Sequence, residues 1–507
     1  MTNTHDVIIA GAGPIGLFTA CELQKAGASV LVLEREASPE SPWKIEPLGL
    51  RGLNTVSIES FYRRGLVFLD MVVSKERPKL FEKDSGFKFG GHFAGMLLNA
   101  NKLEMSRYKY RLPGPALMPS GTTLERIEKA LSERAESLGA TILRGKGVTG
   151  VSQDDDSVTV EAGGETFEAK WLVGCDGGRS TVRKAAGFEF VGTDPECTGY
   201  AVCADLDHIE KLKPGFQPCS GGMYIIGHAG STFFLDFDGG AFHRTKEITP
   251  EHLNDVIARV TGTDVKVVKI HRASTFTDRS MQATSYRKGR VLLAGDAAHI
   301  HSPLGAQGLN LGLGDAMNLG WKLAATVKAE KSGTKDLTLL DTYEKERLPI
   351  GAWVLEWTRA QVSTLKPNLY GFALRRLIRD LLDTTDGTNL FIDRILGLSL
   401  RYELGDAHPL VGCSAPDFEL NDGSRLGSKM EEARGLLLDF GSDAALKEAA
   451  AEYEGNVDYI GMGAENQLGF SALLIRPDGV VAWVAEEKPD VDAAKSALKR
   501  WFGFDSK

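Results

Sequence analysis

The chain has 507 residues, enough for two or three domains and a sizeable core. It carries 59 Lys and Arg against 68 Asp and Glu, a formal net charge of −9, and no run of five or six basic residues. Such a surface repels nucleic acid and anionic membrane. No apolar stretch reaches the roughly 20 residues that span a bilayer. Six scattered cysteines without a CxxC pair point to free thiols in a reducing, cytoplasmic setting.

The opening MTNTHDVIIAGAG has no basic region before its apolar run, so it reads as a first strand and not as a signal peptide. Val7 to Ala10 are continuously apolar, as a strand buried on both faces requires. Gly11, Gly13 and Gly16 follow at GxGxxG spacing, then Leu17, Ala20 and Cys21 set a helical stripe that ends at Gly27. A second apolar run, Val30 to Leu33, ends in Glu34, with Arg35 beyond it. This is a βαβ unit of about 30 residues. The first glycine permits the turn, the second lets backbone approach a pyrophosphate, and the third lets helix and strand pack closely. The helix N-terminus offers N–H groups to phosphate, and the acid stands where a ribose is held.

Further along, FKFGGHFAGM (87–96) is rich in glycine and aromatics. GKGVTG (145–150) repeats the GxGxxG spacing, but a turn and an alternating strand follow it, so it reads as sheet edge and not as a second nucleotide site. WLVGCDGGRSTVRKAAG (171–187) reads as a short strand, a glycine turn at 174–178 and a helix over 180–186. Arg179 and Arg183 sit near the helix start, where guanidinium groups suit phosphate. Residues 188–278 alternate, as in GGMYIIGHAGSTFFLDF, which predicts an antiparallel sheet. Then GRVLLAGDAAH gives a strand, a glycine and an acid, SPLGAQG bends the chain, and LNLGLGDAMNLGWKLAATVKA is a helix. Gly312 and Gly320 inside that helix each cost about 1 kcal/mol relative to alanine, which implies a close neighbour.

Asp296, His299 and His301 lie within six positions and invite a metal. No further His or Cys cluster supports one, and the surrounding glycines and proline have no part in it, so no metal is expected. His299 is expected to orient the loop or pack beneath a bound ring.

In this order and spacing, GxGxxG, CDGGRSTVR and GDAAHIHSPLGAQGLN resemble the single-component FAD-dependent aromatic hydroxylases (class A flavoprotein monooxygenases) over roughly residues 5 to 365. From residue 401, HPLVG and RPDGVVAW resemble the thioredoxin-like C-terminal domain of phenol-hydroxylase and polyketide-hydroxylase relatives. LLLDFGSDAAL has no cysteine, so this domain is expected to be structural and suited to an interface between two copies, a homodimer.

The resemblance implies an α/β fold. A Rossmann-type FAD-binding domain (1–75, 116–187 and 279–400) would carry an inserted antiparallel-sheet substrate domain (76–115 and 188–278), with the thioredoxin-like domain at 401–507. It assigns FAD contacts to Gly11, Gly13, Gly16, Glu34, Arg35, Leu124, Asp176, Gly177, Gly295, Asp296, Pro303, Gly305, Gly308, Leu309 and Asn310. Asp296 would hold the ribityl chain, Asp176 and Gly177 would lie near the pyrophosphate with the arginines close by, and the helix starting near Leu309 would aim at the N1–C2 carbonyl of the flavin. Phe89, His92, Phe93, Tyr224, Phe233 and Phe234, with Pro303, are the expected substrate-cavity residues; ordinary sheet core is the competing explanation for each aromatic. Three positions depart from the family pattern: Val56 where an arginine is frequent, Leu124 where a polar residue is, and Ala306 in place of a second glycine.

The activity implied is monooxygenation of a phenolic or polycyclic, polyketide-like aromatic. NADPH or NADH would visit transiently, O2 would be the co-substrate, and a flavin C4a-hydroperoxide would be the oxygen donor. Baeyer–Villiger insertion or antibiotic inactivation would use the same scaffold. A halogenase is disfavoured because WVLEW (353–357) does not match WxWxIP, and a non-catalytic binding protein is the remaining alternative. No catalytic acid or base is identified.

Overall fold

The computed structural model describes residues 5–66, 85–227, 230–242 and 246–503. His5–Ala10 lies at the centre of a parallel sheet, between Val30–Glu34 and Glu165–Gly174, with Thr141–Arg144 outside the first and Val291–Leu293 outside the second. The register places Ala10 beside both Leu33 and Gly174, and Gly174 beside Leu293. The carboxyl ends of these strands therefore finish together, and the segments that follow them (Gly11, Cys175 to Gly177, Gly295 and Asp296) emerge at one edge of the sheet. In open α/β sheets that edge is where ligands bind. Val148–Gln153 pairs antiparallel with Val158–Ala162, so GKGVTG is sheet edge and turn, as its context predicts.

Two helices cover this sheet, and glycine sets their distance. A Cβ on Gly312 of Gln307–Lys331 would fall 2.7 Å from Ile15, and one on Gly320 would fall 2.3 Å from Cβ of Glu22; both partners belong to Pro14–Lys25. This is the close neighbour that glycines in a helix imply.

The second layer is a five-stranded antiparallel sheet in the order Gly215–Cys219, Gly222–Ile226, Ser231–Asp236, Thr198–Leu206, Val267–Thr277. A helix not foreseen from the alternating pattern, Pro250–Thr261, packs Leu253, Val256, Ile257 and Val260 on one face of it. The other face meets the hairpin Phe89–Phe93/Met96–Asn99 and Leu304.

The C-terminal sheet runs Val457–Gly461, Gly435–Asp439, Ala472–Ile475, Val481–Ala485, with the first pair parallel and the others antiparallel. Ala444–Ala451 and Val491–Phe502 pack against it. This is the thioredoxin-like arrangement without its cysteine pair. The domain is locked to the body by charge as well as by apolar contact. Arg476 meets both oxygens of Glu346 at 2.8 Å, and Lys322 reaches the same carboxylate at 2.9 Å. Arg64 bonds both oxygens of Glu22 at 2.7 Å and also donates to Met430 O and Pro477 O. All of these groups are buried. Burial pushes the Lys322 ammonium down to about 8, against the pull of Glu346. Removing one partner from such a cluster leaves an uncompensated buried charge, typically a loss of about 3–5 kcal/mol. Among the described residues no helix is long and apolar enough to cross a membrane.

Candidate active site

The three N-terminal glycines do three different things. Gly11 has φ +104°, and a Cβ there would meet Cys175 O at 2.5 Å. Gly16 lies so close to Gly11 that a Cβ would fall 2.0 Å from its carbonyl oxygen. Gly13 faces open space, with nothing within 4 Å of such a Cβ. Glu34 closes the turn: its carboxylate accepts from Ala12 N–H at 2.7 Å and from Glu36 N–H at 2.8 Å. Arg35 is exposed and pairs with Glu36 at 2.9 Å.

At the next strand end, Asp176 Oδ2 accepts from Thr181 and Val182 N–H (2.7 and 3.1 Å), while Oδ1 is buried with no partner among the described residues. Gly177, at φ +78°, has open space where a Cβ would stand. Of the two roles open to these arginines, a solvated face or phosphate contact, Arg183 takes neither. It is buried, its guanidinium donates to Ala297 O at 2.8 Å and Gly178 O at 2.9 Å, and it stacks on Phe190 at 3.8 Å. It pins two of the strand-end segments to each other. Arg179 is exposed.

Asp296 is exposed while Gly295, Ala297, Ala298 and His299 around it are buried. Its carboxylate stands in an open slot whose protein walls desolvate it, which raises its pKa; His299 opposes that shift and Asp315 reinforces it. His301 donates from Nδ1 to Ser302 O at 2.8 Å, so Nε2 is an acceptor, buried and without a partner among the described residues. Desolvation holds its pKa at about 4.

The loop after it is bent by force. Ala306 sits at φ +53°, ψ 38°, a left-handed conformation that glycine adopts more cheaply, and no side chain caps the helix it precedes. The first-turn N–H groups thus keep their dipole end open. The helix begins at Gln307, two residues before the expected Leu309. Pro303 is exposed, Gly305, Gly308 and Leu309 are half-buried, and Asn310 is buried. Asn310 makes four bonds: it donates to Gly52 O and Ala306 O and accepts from Asn54 N–H and Ser57 Oγ–H. Its side chain is a clamp between two loops. Leu124 begins Leu124–Ser137, its N–H bonded to Gly49 O at 2.9 Å; its apolar side chain can offer a ligand only packing.

One residue absent from the sequence reading organises the rest. Asp315, fully buried in Gln307–Lys331, accepts from Gly295 N–H at 3.0 Å, His299 Nε2 at 2.7 Å and Arg347 Nε at 2.8 Å. Burial alone would raise its pKa, but Arg347 and His299 outweigh this and hold it below the usual carboxylate value. His299 therefore does orient the loop, and Asp315 is its anchor. A sequence signal existed: Asp315, Asn318 and Lys322 form a polar line at helical spacing within the stretch 311–325, which is otherwise apolar or glycine.

On the substrate side the sheet's alternation divides the expected aromatics. Tyr224 and Phe234, only 8% and 1% exposed, pack with Tyr200 against Pro250–Thr261. They lie on the face turned away from Leu304, which corrects their assignment to the cavity. Phe93 is also core, edge-on to Trp357 and Phe391 at 4.8 and 4.9 Å, and Phe89 is 53% exposed at the far end of its strand. Phe233 is on the Leu304 side, half-buried, in register with Ile225. Phe216 and Phe276 share that face by their own register. His92 lies over Phe216 with ring centroids 4.1 Å apart, and burial brings its pKa down to about 4. Gln361 joins the two layers, accepting from Ala94 N–H at 3.0 Å and donating to Leu304 O at 3.3 Å.

Comparison with known proteins agrees with this geometry. Residues 4–358 match the family described as FAD binding domain, and 408–504 match the aromatic-ring hydroxylase C-terminal family. The chain belongs to the FAD-dependent aromatic hydroxylases. It is 50% identical over 498 residues to a monooxygenase of Claviceps purpurea, covering 98% of this chain and 97% of that one. It is 39% identical to the 12-dehydrotetracycline 5-monooxygenase/anhydrotetracycline 6-monooxygenase of Streptomyces rimosus, with 98% and 99% covered. The solved anhydrotetracycline hydroxylase from Streptomyces rimosus superposes with a TM-score of 0.83 at 36% identity, covering 99% of both chains.

As an FAD-dependent monooxygenase with NAD(P)H as its reductant, the hydroxylase must hold a dinucleotide along the strand ends, and the residues there fit one. Space lies open at Gly13, a carboxylate stands in a slot at Asp296, a helix start is uncapped at Ala306, and two buried polar atoms, Asp176 Oδ1 and His301 Nε2, have no partner among the described residues. The glycines predict opposite outcomes for one methyl group. Gly13→Ala should leave the thermal midpoint of the apoprotein unchanged and weaken FAD binding on the order of tenfold or more, about 1.4 kcal/mol. Gly16→Ala should lower the thermal midpoint itself. Thermal melts with flavin-fluorescence titration check both; equal behaviour of the two variants would contradict the assigned roles.

Proposed function

We propose that this hydroxylase inserts oxygen from O2 into a phenolic or polycyclic, polyketide-like aromatic. The carrying observation is the stacking of two layers through Gln361: the loop Pro303–Gly308 lies against the sheet face that presents Phe216, Phe233 and Phe276. A planar apolar substrate fits between such layers, and a dry site protects oxygen-transfer chemistry from water. Bound FAD supplies the reduction of O2 and the transfer of oxygen to the ring.

The chain's own contribution is binding and orientation. Gly13 and Gly177 would leave room for the pyrophosphate, Glu34 would hold the ribose, Asp296 would hold the ribityl hydroxyls, and the helix start at Gln307 would offer its positive dipole end to the flavin ring. His92, neutral beside Phe216, is the titratable group placed to meet a polar substituent of the substrate. Unpaired cysteines and dependence on NAD(P)H support a cytoplasmic setting.

With a panel of polycyclic phenols in air, NAD(P)H oxidation should rise several-fold for an accepted compound. Its product should be heavier by about 16 mass units, the mass of the one oxygen this reaction class transfers. Label from heavy-isotope O2 should appear in that product. Label arriving from water instead would contradict the reading.

We also propose that two copies pair through Leu369–Leu382. Leu369, Tyr370, Leu374, Leu377 and Leu381 are exposed on one side of that helix. An apolar row of this length on a surface marks an interface. Antiparallel pairing about Leu377 sets this row against its own copy, so the surface complements itself. Sedimentation equilibrium should show a dimer that Leu377→Glu converts to monomer; a monomeric parent protein would contradict this.

A further inference from the structure

The geometry points to Arg347 and Tyr402 as positioning residues for FAD, through which the C-terminal domain sets the loop that carries Asp296. The chain of bonds is unbroken and buried. Tyr402 Oη accepts from Arg347 Nη1 at 2.9 Å, Arg347 Nε donates to Asp315 Oδ1 at 2.8 Å, and Asp315 Oδ2 holds His299 Nε2 at 2.7 Å and Gly295 N–H at 3.0 Å. Asp296 is adjacent to Gly295, so its place in the slot is fixed from the next residue. Arg347 also donates from Nη2 to Leu311 O at 2.8 Å, which ties the start of Gln307–Lys331 to the same guanidinium. Thus both flavin-facing features, the acid and the helix start, hang on one arginine in Thr338–Leu365.

Tyr402 belongs to the far domain. Its N–H bonds Gly412 O at 2.9 Å, and Gly412 N–H in turn bonds Val481 O at 2.9 Å, on a strand of the C-terminal sheet. A Cβ at Gly412 would fall 2.0 Å from Tyr402 O, so this approach admits no side chain. Tyr402 is itself buried among Arg347 and Arg476, both lying near its ring face at 5.8 Å. Without its hydroxyl, one Arg347 donor is buried with no partner, and the guanidinium is free to tilt off Asp315. Such a tilt loosens Gly295 and His299 together. A thioredoxin-like domain without cysteines thereby has a use: it braces the flavin loop from about one domain away.

The inference rests on the assignment of Asp296 to the flavin, and the test separates the two. FAD dissociation constants of the full-length apoprotein would be measured by flavin-fluorescence quenching for the parent, Asp296→Ala, Tyr402→Phe, Asp315→Asn and the Tyr402→Phe/Asp315→Asn pair. Thermal melts would run alongside. Trp501→Leu is the comparison: it loosens the C-terminal domain where Arg476 stacks at 4.6 Å and removes none of the Tyr402–Arg347–Asp315 hydrogen bonds. Tyr402→Phe should weaken FAD binding several-fold with little change in the apoprotein's thermal midpoint. The double variant should be less impaired than the product of the two single effects, because both act on one chain of bonds. Trp501→Leu should lower the midpoint and leave FAD affinity unchanged. FAD affinity within twofold of the parent for Tyr402→Phe, or equal weakening by Trp501→Leu, would overturn the inference. Unchanged affinity for Asp296→Ala would overturn the flavin assignment beneath it.

Discussion

A single buried carboxylate, Asp315, holds the site together. Taking a charge out of water costs several kcal/mol unless partners repay it, and Asp315 is repaid by an arginine from one segment and by a histidine and a backbone N–H from another. Each partner is valuable only in one place. The strand end at Gly295, the helix Gln307–Lys331 and the helix Thr338–Leu365 are thereby fixed to one another at the edge where the parallel strands finish. The helix could carry an acid there because Gly312 brings it against Ile15 and within reach of Gly295.

Around this anchor the site divides into a rigid half and a strained half. The rigid half is the glycine turn at 11–16 with Glu34 across it, and Arg183 pinning Gly178 to Ala297. The strained half is the bend at Ala306, where a left-handed alanine costs on the order of 1 kcal/mol. Asn310 repays that with four hydrogen bonds, one to Ala306 O in the bend and three to Gly52, Asn54 and Ser57 across from it. The consequence is a helix start with no side-chain cap, and so an electropositive end left to face a ligand. Gln361 ties the hairpin that packs on the second layer to the same bend, so the cofactor loop and that hairpin share one hydrogen-bonded contact.

Much of this was legible in the chain because its signals are local. The βαβ unit, the glycine turn with its acid and the bend before a helix each need fewer than about 35 consecutive residues. The rejection of GKGVTG also held on local grounds, since a strand and not a helix follows it. What was not legible depends on distance. Asp315 meets Arg347 32 residues away, and Glu346 meets Arg476 130 residues away. Nothing in a window of sequence pairs them, although the polar line Asp315, Asn318, Lys322 in an apolar stretch of helix marks one side of the partnership. The substrate aromatics fail for another reason. Phe233 and Phe234 are neighbours in a strand, so they cannot share a face. That parity separates them without any structure, but which face meets the flavin loop is decided by Pro250–Thr261 taking the other.

If Asp315 is the constraint on which the site depends, its loss must free the strand end before it frees the sheet. Hydrogen–deuterium exchange on the full-length apoprotein, comparing the parent with Asp315→Asn, measures this directly. The account predicts faster exchange confined to Gly295–His299 and the first turns of Gln307–Lys331, with the central strands His5–Ala10 and Glu165–Gly174 as protected as before. Unchanged protection at Gly295–His299 in a folded Asp315→Asn protein would contradict it.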